Sequence, residues 1–298
     1  MIQKKCLICG KDEKLKVLYN ANFNLQTINK KIFSARRLPD LIHYQINKCL
    51  KCGLIFSSPI LEKNKIISLY KDSDLNYNEL LPYINQTYSY YFKKFLPKIN
   101  KNFNLLDIGC GNGFFLEEAK KLGIKNVYGV EPGKKSTEKA RPDIKKNIKI
   151  SVFKNGSFPK SYFNVITCFQ TLDHLTDPAD CIRSTYNLLK KDGIAYFILH
   201  NTDGLSVKLF GEKSAIFDIE HIYLFNKITL KKIFSKQGFK KIKVFDIKNK
   251  YPLGYWIKMI PIPIFLKKFL LNILHQSKLE NIPIAIKAGN IGIIAFKD

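Results

Sequence analysis

Seven stretches of the chain are apolar and short enough to be strands: 105–108, 127–130, 148–153, 163–169, 194–199, 243–247 and 292–296. The run at 163–169 is apolar almost throughout, as expected for a strand covered on both faces. The stretch at 148–153 alternates instead. Helical segments at 114–122, 179–189 and 230–237 fall between them. Asn226 or Thr229 is placed to cap the last helix and Gly238 to end it. Lys191-Asp192-Gly193 predicts a turn. Strands alternating with helices predict an α/β sheet. Residues 59–101 read as a helical connector whose aromatic face carries Tyr88, Tyr90, Tyr91, Phe92 and Phe95. Pro97 and the Asn- and Lys-rich stretch after it mark its end.

The first strand runs into a turn in which Asp107 leads Gly109, Gly111 and Gly113. Glycines there let bare backbone come close to a ligand at the carboxyl edge of a sheet. A dinucleotide fingerprint needs its last glycine one place later, where Phe114 stands. The second strand ends in Glu131, a carboxylate placed to accept ribose hydroxyls. On residues alone, such a turn also fits another nucleotide or simple helix packing.

With Glu131, this spacing resembles the first motifs of the Rossmann-like S-adenosylmethionine-dependent methyltransferases. The resemblance implies a seven-stranded, mostly parallel, doubly wound sheet of methyltransferase type. It implies S-adenosylmethionine as cofactor, held by Asp107, Gly109, Cys110, Gly111, Gly113, Glu131, Pro132, Phe169 and Gln170. Similar enzymes carry an acid-His pair just past the fourth strand, and Asp173-His174 stands there. One ubiquinone-pathway branch binds a divalent metal there through Glu-x-x-Glu-His. Here Gln170 and Asp173 replace the two acids, so the resemblance does not extend to a catalytic metal. A later segment, Glu220-His221 through Phe225, resembles the E-H-x-x-x-F stretch ahead of the last helix. Asp173, His174 and His221 are therefore the candidate catalytic residues, with either histidine as base; ordinary loop packing is the alternative for both. His200 and Asn201, at the end of the fifth strand, are candidate pocket residues.

The first 58 residues read as a separate module. Cys6-Leu7-Ile8-Cys9-Gly10 is echoed by Cys49-Leu50-Lys51-Cys52-Gly53. Two such knuckles predict a four-cysteine zinc site, structural because four thiolates leave no open position. With Phe56 and Pro59 following, the module resembles a zinc-ribbon front end found on some bacterial methyltransferases. Between the knuckles, Arg36 and Arg37 are either surface charges or a pair that recognises a carboxylate or phosphate. The expected organisation is a zinc module at 1–58, a connector at 59–101 and a methyltransferase domain at 102–298. An apolar insertion at 251–288 serves as a lid or dimer contact, or as a peripheral membrane contact through 251–275.

The formal charge of +26 changes this picture little. Only four of the 50 basic residues are arginine, and the lysines are spread along the chain. A solvated lysine surface is expected, with nucleic acid unlikely as a partner. No apolar run reaches membrane-span length and the start is not a secretory signal, so a cytoplasmic location is expected. The expected function is O- or C-methylation of a small molecule, such as a sugar nucleotide, glycan or other envelope or secondary metabolite. The alternative is an RNA-binding methyltransferase or adaptor that uses the zinc module and basic surface.

Overall fold

The structure is a computed structural model and describes residues 1–10, 14–24, 41–71, 78–96 and 100–298. Arg36, Arg37 and Pro97 lie outside the described residues.

The main sheet has seven strands: β4 (Asn104–Ile108), β5 (Asn126–Glu131), β6 (Ile148–Ile150), β7 (Phe163–Phe169), β8 (Leu189–His200), β10 (Ile242–Pro252) and β11 (Pro283–Phe296). Their spatial order is β10-β11-β8-β7-β4-β5-β6. The five strands from β8 to β6 are mutually parallel, and β11 runs antiparallel to both of its neighbours. The chain thus winds outward from β4 through β5 to β6, then returns to build the other half from β7. This is the doubly wound sheet of methyltransferase type.

Four strands differ from the sequence expectation. Strand β8 begins at Leu189, so the expected turn at 191–193 lies inside it; Asp192 still adopts a left-handed φ of 60°. Strands β10 and β11 extend past 247 and before 292 into a long antiparallel hairpin that reaches Pro252↔Pro283. Strand β6 stops at Ile150, leaving Val152 and Phe153 to the loop that follows.

The helices that precede β10 are α1 (Lys63–Lys71), α2 (Leu81–Phe95), α3 (Phe114–Lys121), α4 (Lys134–Glu138), α5 (Pro142–Lys145), α6 (Pro178–Leu188), α7 (Leu205–Phe210) and α8 (Lys227–Lys236). Asn226 caps α8 reciprocally with Thr229: each side chain accepts from the other's backbone N–H. The apolar core divides into two main clusters. One gathers α6 and α8 with the N-terminal residues Cys6, Tyr44, Leu54 and Phe56. The other gathers α2 and α3, where Phe92 stacks edge-on to Phe115 and lies near Tyr196. Phe92 is fully buried. Its replacement by alanine is expected to lower stability by about 3–5 kcal/mol, read by denaturant titration.

The N-terminal strands β1 (Leu15–Tyr19), β2 (Ile46–Cys49) and β3 (Ile55–Ser57) form a second, antiparallel sheet. Its fourth strand is β9 (Tyr223–Leu224), from the segment just after His221. Tyr223 Oη also donates to the carbonyl of Lys5. The segment between β10 and β11 folds into two helices, α9 (Leu253–Met259) and α10 (Ile264–Gln276).

Candidate active site

A cavity of about 310 Å³ opens at the carboxyl ends of β4, β5, β7 and β8. Strand order reverses between β4 and β7, which is where open α/β sheets bind ligands. One wall is the turn from β4 into α3. Gly109 holds φ at 72°, and a Cβ there would collide with the Thr171 side chain. Only glycine leaves this backbone bare to a ligand.

Glu131 ends β5 behind that turn. It accepts the Gly111 N–H at 3.0 Å and the Gly133 N–H at 2.8 Å. Burial pushes its carboxyl up, and the two N–H bonds act in the opposite direction. Asp107 is buried more severely. Desolvation pushes its carboxyl up to about 7, against the Thr167 hydroxyl that donates to it at 2.7 Å. A raised carboxyl stabilises the fold fully below its ordinary value of about 3.9. That contribution is lost as pH rises from there through about 7. Asp107→Asn is expected to flatten this stretch of the stability–pH curve of the free protein, measured by denaturant unfolding across the range.

Gln170, at the tip of β7, is a non-glycine residue at φ 50°. Its Oε1 is buried with no hydrogen-bond partner among the described residues. A strained strand-tip residue with an unsatisfied oxygen suits a site that completes itself with ligand. The bare turn, the Glu131 carboxylate and the Gln170 oxygen together fit a nucleoside-bearing methyl donor.

The opposite wall holds three imidazoles around one carboxylate. Asp173 is fully buried in the 3₁₀ turn Leu172–His174. Its Oδ2 lies 2.5 Å from His200 Nδ1, and the His200 N–H also points to it at 3.3 Å. Its Oδ1 lies 3.8 Å from His174 Nε2. The neighbouring imidazoles outweigh desolvation and hold the Asp173 carboxyl well below its usual range. For Asp173 to accept, His200 Nδ1 must carry the hydrogen, which leaves Nε2 with its lone pair. The His200 side chain is 21% exposed and lines the cavity.

His174 Nδ1 is 2.9 Å from the Tyr70 hydroxyl, contributed by α1. The His221 ring sits 4.3 Å from that of His200, and its Nδ1 donates to the Ile216 carbonyl. Burial lowers the His221 pKa, so this ring is neutral near pH 7. Donor atoms of Asp173, His200 and His221 lie within 4.8 Å of one another, close enough for a cation as well as for hydrogen bonding.

Of the residues expected to hold cofactor, Asp107, Gly109, Gly111, Glu131, Pro132, Phe169 and Gln170 line the cavity. Cys110 and Gly113 do not: the Cys110 thiol packs below the turn near Gly129, and Gly113 precedes α3 against Ile144. The expected catalytic residues Asp173, His174 and His221 are brought together. His200 joins them as the partner of Asp173, a link that a separation of 27 positions hides in the sequence. Tyr70 carried no signal at all, because it comes from the connector.

In the N-terminal part of the chain, Cys6, Cys9, Cys49 and Cys52 place their sulfurs within 4.8 Å of one another. Cys6 Sγ and Cys52 Sγ are 3.4 Å apart. A tetrahedral zinc with bonds of about 2.3 Å separates its sulfurs by about 3.8 Å. The Gly10 N–H bonds the Cys6 carbonyl and the Gly53 N–H the Cys49 carbonyl, closing each knuckle. The donor set and its spacing fit one zinc ion.

The family model described as a methyltransferase domain matches residues 81–244. A ubiquinone biosynthesis O-methyltransferase from Neisseria meningitidis is 33% identical over 101 residues, covering 31% of this chain and 42% of that protein. One from a Shewanella species is 29% identical over 138 residues, covering 44% of this chain and 53% of that protein. The chain thus spans about half the length of these relatives. A crystal structure of a SAM-dependent methyltransferase from Archaeoglobus fulgidus superimposes with a TM-score of 0.51 at 18% identity. It covers 74% of this chain and 100% of that one, which speaks to the fold.

Proposed function

The chain belongs to the methyltransferase-domain family; from that premise we propose that it is an S-adenosylmethionine-dependent enzyme that methylates a hydroxyl on a small, largely apolar ring compound. The observation that carries this reading is the Asp173–His200 pair facing the cavity across from the bare glycine turn. S-adenosylmethionine, when bound, supplies a methyl group already activated by its positive sulfur. Glu131 would hold the ribose hydroxyls and the backbone around Gly109 the far end of the donor. What the protein must add is alignment and an exit for the acceptor's proton. His200 Nε2 takes the hydroxyl proton, and Asp173 steadies the imidazolium that results. His174 and His221 pack this pair into one orientation, and neutral His221 adds no competing charge.

Ile66, Ile67, Tyr70, Phe153, Tyr255 and Met259 give the cavity apolar walls that suit a flat ring. The relatives' O-methylation supports oxygen as the acceptor atom, and nothing in them supports a sugar nucleotide or glycan. The test is incubation of pure protein with S-adenosylmethionine and a panel of hydroxylated aromatic compounds, read by mass spectrometry. A one-methyl gain on at least one of them, with S-adenosylhomocysteine formed in equal amount, is expected. Methyl gain only on nitrogen, carbon or sugar acceptors would overturn the choice of oxygen. For the cofactor reading, Glu131→Ala is expected to weaken calorimetric donor binding at least tenfold, by removing a buried hydrogen-bonding carboxylate.

We further propose that the four cysteines hold a structural zinc, on the fit described above.

A second reading rests on a groove beside the knuckles, lined by Lys51, Lys227, Lys231, Lys232, Lys236 and Lys243. Such a groove suits phosphate, and RNA binding that weakens steeply with salt would support it. No RNA binding at low salt would remove it.

A further inference from the structure

The arm between β10 and β11 carries apolar side chains that no other described residue covers. Helix α10 has no buried residue. Its inner side is made by Lys267, Leu270, Leu271 and Leu274, all only half-buried. Its outer side presents Phe265, Leu266, Phe269 and Ile273, which fall within about a third of a turn of one another at 100° per residue. Phe265 is 72% exposed and Phe269 60%. Ile264, Leu279 and Ile282, also exposed, extend the same arm. Single exposed apolar residues are ordinary, but a contiguous set of this kind marks an interaction surface.

The charges around the set identify the occupant. Across residues 253–282 there are four lysines, at 258, 267, 268 and 278, against one acid, Glu280. Glu280 is already engaged by Lys258 and His275. Lys268 and Lys278 are exposed beside the apolar face. An apolar stripe edged by lysines on a short helix is the pattern of a segment lying in the headgroup region of an anionic bilayer. At 13 residues α10 is too short to cross one, and no helix among the described residues is long and apolar enough to do so.

A second copy of the chain fits less well. A two-fold contact through this face would bring each lysine set towards its own duplicate, with no free carboxylate to answer it.

We propose that the arm formed by α9 and α10 docks the protein on the surface of an anionic phospholipid membrane, with Phe265, Leu266, Phe269 and Ile273 entering the acyl boundary. Tyr255 and Met259 of α9 line the reaction cavity, so the same arm is both the membrane contact and a wall of that cavity. The contact does not depend on which acceptor is methylated.

The experiment is flotation of the full chain with vesicles of phosphatidylcholine alone or mixed with phosphatidylglycerol. Binding is expected to the mixed vesicles, weaker in added salt. The double change Phe265→Ser with Phe269→Ser is expected to reduce the affinity at least tenfold while leaving thermal unfolding and donor binding as they were. Lys268→Glu with Lys278→Glu should reduce binding to the mixed vesicles alone. No binding to the mixed vesicles overturns the proposal. Binding indifferent to the phenylalanine changes also overturns it, since it would reduce the contact to general basic charge. So does a dimer, seen by light scattering, that the phenylalanine changes dissolve, because it would assign the face to a second copy.

Discussion

His200→Ala is expected to lower kcat by about 10²–10⁴, the usual worth of a positioned general base, with donor affinity nearly unchanged and a lower unfolding temperature, because Asp173 stays buried without its main partner. The ring is one-fifth exposed and bonded mainly to Asp173, so its loss costs little packing. Asp173→Asn tests the partner. It keeps the shape, but an amide that donates to Nδ1 would shift the hydrogen to Nε2 and leave no lone pair facing the acceptor. Turnover should fall by a similar factor, and the double variant should be no worse than the poorer single one, because the two act as a unit. His174→Ala and His221→Ala should each cost less than His200→Ala. If His200→Ala turns over normally while either of the others does not, the base is misassigned.

Stripping the metal should have the other large effect. Metal analysis of protein purified without chelator is expected to find one zinc per chain. Chelation, or Cys49→Ser, should lower the unfolding temperature by roughly 10 °C or more, since structural zinc contributes folding free energy directly. Methyl transfer should fall with it. The reason lies in the sheet: β3 pairs with β9, the Ser57 N–H bonds the Ile222 carbonyl and the Ser57 hydroxyl bonds the His221 carbonyl. A disordered module therefore loosens the segment that presents His221. Absence of zinc, or stripping that leaves unfolding unchanged, would refute this.

Much of this molecule was readable from its residues. Strands β4, β5 and β7 are central and covered on both sides, so burial alone selects apolar runs. The glycine turn, Glu131 and the Asn226 cap are local chemistry and stand where expected. The outer strands hid their lengths. Lys191 and Asp192 in β8, and Lys248 in β10, are exposed, so the apolar signal lapses while backbone pairing continues. The His200–Asp173 bond exists because β7 and β8 are parallel neighbours whose tips end side by side. No spacing rule encodes that. Tyr70 reaches His174 from a helix more than a hundred positions earlier, a purely tertiary fact.

The α9–α10 arm leaves and re-enters the sheet at Pro252 and Pro283, which face each other across β10 and β11. Its two ends are adjacent, so everything between them is detachable in principle. A two-residue reverse turn spliced between those prolines should leave a folded domain that still takes up the methyl donor. The shortened protein would lose Tyr255 and Met259 from the acceptor side. Arms of other composition, transplanted onto the same stalk, would then retune acceptor choice without redesigning the chemistry beneath.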